Sequence, residues 1–474
     1  MGPRTGAGAS LESGPRLRPC EDPGPAARIA RSAVAAEGAH LPLDRFADWF
    51  ERRRAAHPFR VDTIPFAELD GWSAEPGTGN LVHHSGRFFS VEGMEVRVDG
   101  AVAWQQPVIR QPEIGILGIL VKEFGGVLHC LMQAKMEPGN AGLLQLSPTV
   151  QATRSNYTKV HRGAAVKYID HFVRPRPGAV LADVLQSEHG SWFLHKHNRN
   201  MIVETTEEVP LDPDFQWFTF GQLTELLRLD NVVNMDARTV LSCAPRVDTG
   251  AAALHTDAEV RHWLNEARAR HDVHVARVPL AGLPGWERDE HAVRHHQGRF
   301  FEVVAASVRA GSREVTGWAQ PLIRPRGRGL VAFLSRRIGG VTHLLAHARR
   351  EGGLREVVEI APTVMYTPDN HAGRVGADRP PFLDLVLAAG PDRIRYEAVH
   401  SEEGGRFLDA QSRYLVVEAD EDEAPLSAPD GYRWVTPGQL SLLVRQGHCV
   451  NVQARTLMAC LDAAAPATGS GTHG

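Results

Sequence analysis

Between Leu131 and Gly163 the chain sets Lys135, Glu137, Asn140, Gln145, Gln151, Arg154, Asn156, Tyr157 and His161 close behind an apolar run. Lysine, tyrosine, histidine and glutamate exchange protons near neutral pH when their surroundings shift them. Arginine offers a planar donor fork that matches phosphate oxygens. Polar density of this kind behind an apparent buried strand is either a site or a solvated loop, and context must separate them. The context is a second, altered copy of the same stretch.

The run His83-His84-Ser85-Gly86-Arg87-Phe88-Phe89 returns as His295-His296-Gln297-Gly298-Arg299-Phe300-Phe301. Trp104, Gln106, Pro107 and Arg110 return as Trp318, Gln320, Pro321 and Arg324, and Pro148-Thr149-Val150 as Pro362-Thr363-Val364. The register holds at about 214 residues to the end of each half, which identifies a tandem duplication of a whole domain.

A duplication supplies an internal control. Polar positions kept in both halves serve a shared scaffold or ligand: Gln106, Arg110, His129, Glu137, Asn156, Glu188, Arg199, Asn234 and Arg238. Others change. Lys135 becomes Arg349, Arg154 becomes Pro368, Tyr157 becomes His371, His189 becomes Glu403 and Trp192 becomes Arg406. Arginine at the lysine position cannot exchange a proton, so the first unit reads as chemically competent and the second as a binding or supporting copy.

The elements that must position these residues are mixed. Residues 1–40 are rich in Gly, Pro, Ala and Arg and are expected to form a disordered leader. Phe46, Trp49 and Phe50 recur at helical spacing after Asp44 and predict a short amphipathic helix. Residues 87–98, 127–134 and 201–204 read as strands, and Gly125-Gly126 and Gly339-Gly340 as hairpin turns. Thr219 with Gln222, Thr256 with Glu259, and Thr436 with Gln439 are capping boxes that open helices. Each unit is therefore α+β, the first over residues 41–245 and the second over 256–464.

Composition narrows the function. With 43% hydrophobic residues, 23% charged residues and a net charge of -4, the chain lacks the global basicity of a nonspecific nucleic-acid binder. No apolar window reaches the ~20 residues of a membrane-spanning helix, and no signal-peptide core is present, so a cytoplasmic location is expected. The five cysteines are scattered without CxxC spacing and read as reduced thiols. His195 and His197 would share a face of a strand, but their counterparts are Asp409 and Gln411 and no HExxH occurs, so no metal site is expected. No Walker or GxSxG pattern occurs, and no GxGxxG sits between a strand and a helix.

The runs LMQAKMEPGN, LSPTVQATRSNYT, SEHGSW and NVVNMDARTVL, in that order within tandem halves, resemble the NDP-4-keto-6-deoxyhexose 2,3-dehydratases of deoxysugar pathways in antibiotic-producing bacteria. The resemblance implies removal of water across C2 and C3 of dTDP-4-keto-6-deoxyglucose without a bound cofactor. It also implies two Nudix-like α/β halves, a homodimer, and an unstable product passed to an NADPH-dependent 3-ketoreductase. The Nudix pattern of closely spaced glutamates is missing, so pyrophosphatase activity does not follow. On that resemblance Tyr157 and Lys135 are expected to handle proton transfer and enolate stabilisation, with His189 or Glu137 as the alternative base. Arg154, Arg199 and Arg238 are expected to hold the diphosphate, with Gln151, Asn156, Glu188 and Asn234 as further contacts. Trp192 or Trp104 is a candidate to stack on thymine, although Trp104, matched by Trp318, also reads as core. In the second unit Arg349, Asn370, Arg413 and Arg455 would form a binding or vestigial site. The competing readings are a nucleoside-diphosphate-sugar hydrolase and a noncatalytic nucleotide-sugar binding subunit.

Overall fold

The apolar run Ile116 to Val121 is buried along its whole length, which marks a central strand covered on both faces. Its side chains alternate between two cores, with Leu117, Ile119 and Val121 in one and Ile116 and Leu120 in the other. In the computed structural model, which describes residues 22–154, 166–247, 250, 252–311, 316–374, 376 and 379–461, this strand centres a seven-stranded mixed sheet. The sheet runs Val180–Ser187, His197–Glu204, Ile116–Phe124, Val127–Met136, Phe215–Thr219, with Leu144–Ser147 and Val150–Ala152 paired to the two middle hairpin strands. Only the pairing of His197–Glu204 with Ile116–Phe124 is parallel.

The second repeat builds the same sheet in the same order around Gly329–Ile338. Both central hairpins turn on the expected glycine pairs. Gly125 and Gly126 have φ of +57° and +82°, and Gly339 and Gly340 +57° and +83°, conformations that a side chain would strain.

Two smaller five-stranded sheets tie the repeats together by exchanging strands. Phe59–Ile64 precedes the first repeat's small sheet but pairs with Phe301–Ala310 of the second. Reciprocally, Val273–Val278 pairs with Ser90–Val98 of the first. The equivalent helices of the two repeats, Met235–Ser242 and Val452–Cys460, pack on each other. Each unit thus depends on the other for a strand.

Local signals placed most elements. Phe46–Ala56 is a helix with Phe46, Trp49 and Phe50 buried, and all three capping boxes form. The strand read from residue 201 begins earlier, at His197, and the one read from residue 87 begins at Ser90. The disordered leader requires correction where it is described. Gly24–Ala33 is a helix whose Ile29 and Ser32 are buried, with Ser32 Oγ donating to Leu128 O at 2.6 Å and accepting from Phe220 N at 2.9 Å. Arg28 forks onto Glu204 at 2.5 and 2.8 Å. A weakly apolar helix is ordered here by specific polar docking, which average composition does not reveal. Cys130, Cys243 and Cys449 are free thiols, the Cys460 Sγ lies 4.0 Å from His400 Nε2, and Cys20 lies outside the described residues. No helix among the described residues is long and apolar enough to cross a membrane.

Candidate active site

Lys135 lies near the end of the strand Val127–Met136, and Glu137, just beyond it, lines a cavity. Lys135 Nζ donates to Glu137 Oε1 at 3.2 Å, and Gln151 Nε2 donates to the same oxygen at 2.8 Å. Glu188 Oε1 accepts from Asn198 Nδ2 at 2.7 Å, while Asn198 Oδ1 accepts from Gly115 N at 3.0 Å. Lys196 donates to the Glu113 carbonyl. Glu137, Gln151, Glu188, Lys196, Asn198 and Asp236 line a cavity of about 180 Å³, and Lys135 is tied to it through Glu137. Arg154 follows the cavity-lining Thr153 and is exposed, whereas Asn156 and Tyr157 lie outside the described residues.

The remaining wall comes from the other repeat. Trp318, Gln320, Glu403, Gly405 and Arg406 line the same cavity. Arg406 Nε donates to Gln111 Oε1 at 3.1 Å, and its guanidinium lies 4.3 Å from the Phe89 ring centre. Burial, opposed by Arg406 and reinforced by Glu137 and Glu188, pushes the Glu403 carboxyl up to about 7. Burial followed by Glu137, Glu188 and Glu403 holds Asp236 well above the usual carboxylate range. Burial also raises Glu188 and lowers Lys196. Four carboxyls and three cations therefore converge where water is scarce.

The second repeat has the equivalent cavity, larger at about 610 Å³, and the exchange is reciprocal. Arg349, Tyr366, Asn370 and Glu402 come from its own repeat, and Trp104, Gln106, His189, Ser191 and Trp192 from the first. This corrects the assignment of His189 and Trp192 to the first site. His189 stacks on Trp192 at 4.2 Å and faces Glu402, Glu351 and Arg349, and burial holds the imidazole below its ordinary pKa. Trp104 is likewise a cavity wall rather than simple core. The Arg349 guanidinium lies 4.9 Å from the Tyr366 ring centre, and Asn370 Oδ1 accepts from Phe300 N at 3.1 Å.

Backbone contact explains the exchange. Gly139 N donates to Gly404 O at 2.7 Å and Gly353 N to Gly190 O at 2.8 Å, so each repeat's loop after its Ser-Glu pair lies against its partner's turn. A Cβ on Gly139 would sit 1.5 Å from Phe407 O, and one on Gly353 1.8 Å from Phe193 O. Only glycine permits that approach.

Several shared polar residues prove to be framework, a second correction. Arg238 and Arg455 are fully buried. Arg238 donates to the carbonyls of Val233 and Ser401, and Arg455 to those of Val450 and Ser187, so each arginine pins the exchanged segment of the opposite repeat. Asn234 caps the helix Met235–Ser242 by accepting from Ala237 N at 2.8 Å. Arg199 pairs with Asp183 and Arg413 with Glu397, and neither lines either of these two cavities. His195 has φ of +51° in the turn before the strand, so it and His197 do not share a strand face.

Lys196 and Asp236 went unnoticed in the sequence although they carry the same signal as Lys135, since they become Ala410 and Gln453. Glu403 and Arg406 carried a signal that pointed to the wrong site.

The sequence model of the NDP-hexose 2,3-dehydratase family matches twice, over residues 43–244 and 257–461. A dTDP-4-dehydro-6-deoxy-alpha-D-glucopyranose 2,3-dehydratase of Amycolatopsis orientalis is 54% identical over 456 residues, spanning 95% of this chain and 96% of the relative. Enzymes of the same name from Saccharopolyspora spinosa and Streptomyces violaceoruber are 49% and 50% identical, over 92% and 88% of this chain and 94% and 96% of their own lengths.

Proposed function

Because the chain belongs to the NDP-hexose 2,3-dehydratase family, we propose that it removes water across C2 and C3 of dTDP-4-keto-6-deoxyglucose at the cavity of the first repeat. The observation that carries this placement is Glu137, paired with Lys135, lining a cavity together with the buried titratable groups Glu188, Lys196, Asp236 and Glu403.

The C4 ketone acidifies the C3 proton, so a positioned base can take it while donors stabilise the enolate oxygen. Lys135 and Tyr157 handle proton transfer and enolate stabilisation, with Glu137 as the alternative base. Gln151, Asn156 and Glu188 contact the sugar, and Arg154 holds the diphosphate at the rim. The second cavity, with Arg349 and Asn370, binds a nucleotide sugar without turning it over. Each half is Nudix-like in this reading, a relation supported by the sequence resemblance and compatible with the mixed sheet. The enzyme works as a cytoplasmic homodimer in an antibiotic-producing bacterium and passes its unstable product to an NADPH-dependent 3-ketoreductase.

One assay separates this from the alternatives. Incubation with dTDP-4-keto-6-deoxyglucose and a chelator, with and without a ketoreductase and NADPH, followed by mass analysis, should show a sugar nucleotide lacking one water. Release of a nucleoside monophosphate dependent on a divalent metal would identify a hydrolase, and unchanged substrate a binding protein. Lys135→Ala and Tyr157→Phe should each lower turnover by about 10²- to 10⁴-fold with dTDP binding nearly intact. Arg349→Ala should do much less; an equal loss would place the chemistry in the second repeat.

A further inference from the structure

We propose that Glu403, carried by the second repeat, is the acid of the first-repeat site and protonates the C2 hydroxyl as it leaves. The proposal rests on dehydration taking place at that cavity.

Its first support is position. The segment after Ser401 is held by Arg238 at the Ser401 carbonyl and by Gly139 at the Gly404 carbonyl, which delivers Glu403 into the wall of the first repeat's cavity. Glu403 Oε1 accepts from Gly405 N at 3.1 Å, fixing the carboxyl plane. A methyl group on Gly405 would lie 2.5 Å from Glu403 Oε1 and 3.9 Å from Glu137 Oε1, so both carboxyls flank one small space.

The second support is a set of unanswered oxygens. Glu403 Oε2, Glu137 Oε2 and Glu188 Oε2 are sealed from solvent and have no hydrogen-bond partner among the described residues, and Glu137 and Glu188 are only 4% and 3% exposed. Buried polar atoms are nearly always bonded, so three unbonded carboxyl oxygens beside one cavity mark groups that packing alone does not account for.

The other cavity supplies the contrast. There Ser191 stands where Gly405 stands in the first, and its Oγ donates to Glu351 Oε2 at 2.9 Å, while Asn451 Nδ2 donates to Glu351 Oε1 at 3.0 Å. Both oxygens of that glutamate are engaged, and the position of Glu403 is taken by His189, stacked against Trp192. The repeats differ in which carboxyl oxygens are left unbonded.

Like charges crowded in a dry site keep one carboxyl protonated, which is the state an acid needs. The groups facing Glu403 are Glu137, Glu188, Asp236, Lys196 and Arg406. In the reaction, the C3–H bond breaks and its proton goes to the base, while the electron pair forms the enolate across C3 and C4. Collapse of the enolate forms C2=C3 as the C2–O bond breaks. The departing oxygen takes the Glu403 proton and leaves as water, and both groups reset by exchange with solvent.

Glu403→Gln keeps the shape and the bond from Gly405 but removes the proton. Turnover should fall by about 10²- to 10⁴-fold with the Kd for dTDP unchanged. In D2O the variant should still exchange the C3 hydrogen of recovered substrate, because deprotonation does not need the acid. Glu403→Asp should restore part of the rate, and the fall in wild-type kcat as pH rises through about 7 should vanish in the Gln variant. Turnover within about threefold of wild type, or loss of C3 exchange together with dTDP binding, would overturn the assignment. Should the Gln variant fail to fold, the Asp variant and the wild-type pH profile decide it: an unchanged rate in the first, or no alkaline fall in the second, rejects it. Wild-type enzyme that removes no water at all would instead sink the underlying dehydration reading.

Discussion

Glu359 occupies in the second repeat the place that Gln145 holds in the first, and both are fully buried. Gln145 Nε2 donates to Ser401 Oγ at 2.8 Å, and Glu359 Oε2 accepts from Ser187 Oγ at 2.6 Å. Burial pushes the glutamate up to about 7. Its folded pKa exceeds the unfolded value, so the native state binds the extra proton. Stability contributed by the protonated form is present below about pH 4.5, declines as pH rises through about 7, and levels off above. Glu359→Gln should therefore stabilise the protein on the order of 3 kcal/mol at about pH 8.5 and far less at about pH 5. Urea midpoints at the two pH values test this; a gain that does not grow with pH would exonerate Glu359. At this scale the sequence revealed residue types well and partnerships poorly. Lys135 beside Glu137 was legible from spacing alone, whereas Lys196 and Asp236 went unnoticed although the comparison of repeats marks them too. Arg238 and Asn234 misled because a residue kept in both halves to bond a buried carbonyl looks identical, in one dimension, to a residue kept to bind phosphate.

At the scale of elements, capping chemistry and glycine turns were readable because they are satisfied within a few residues of chain. The helix Gly24–Ala33 was not, since its order comes from Leu128, Glu204 and Phe220, far away in sequence. Gly139 shows the same limit: its turn is local, but the reason for glycine is the Phe407 carbonyl. Gly139→Ala should destabilise the protein by about 2 kcal/mol or more through a clash with backbone that cannot retreat, lowering the thermal midpoint and dehydration together. A change of less than about 0.5 kcal/mol would show that the crossing is looser than described.

For the whole molecule, two similar units were expected, and the repeat register established them. That register relates equivalent positions and says nothing of which unit a side chain faces. The exchanged strands Phe59–Ile64 and Val273–Val278 and the reciprocal arginines make each half incomplete. Residues 1–250 expressed alone should lack a cooperative unfolding transition, because an unpaired edge and an unbonded buried arginine would remain. Mixing with residues 251–474 should restore one; a stable, cooperative first half by itself would refute the interdependence.

The crossing of the loops at Gly139 and Gly353 also bears on how such a duplicated gene can diverge. A mutation at position 403 or 406 lies in one copy and alters the workplace of the other, so neither repeat can specialise privately. Transplanting residues 402–410 in place of 188–196, and the reverse, would exchange the furnishings of the two cavities while leaving both sheets where they are. Inheritance in this chain runs along each repeat, but chemistry runs across them.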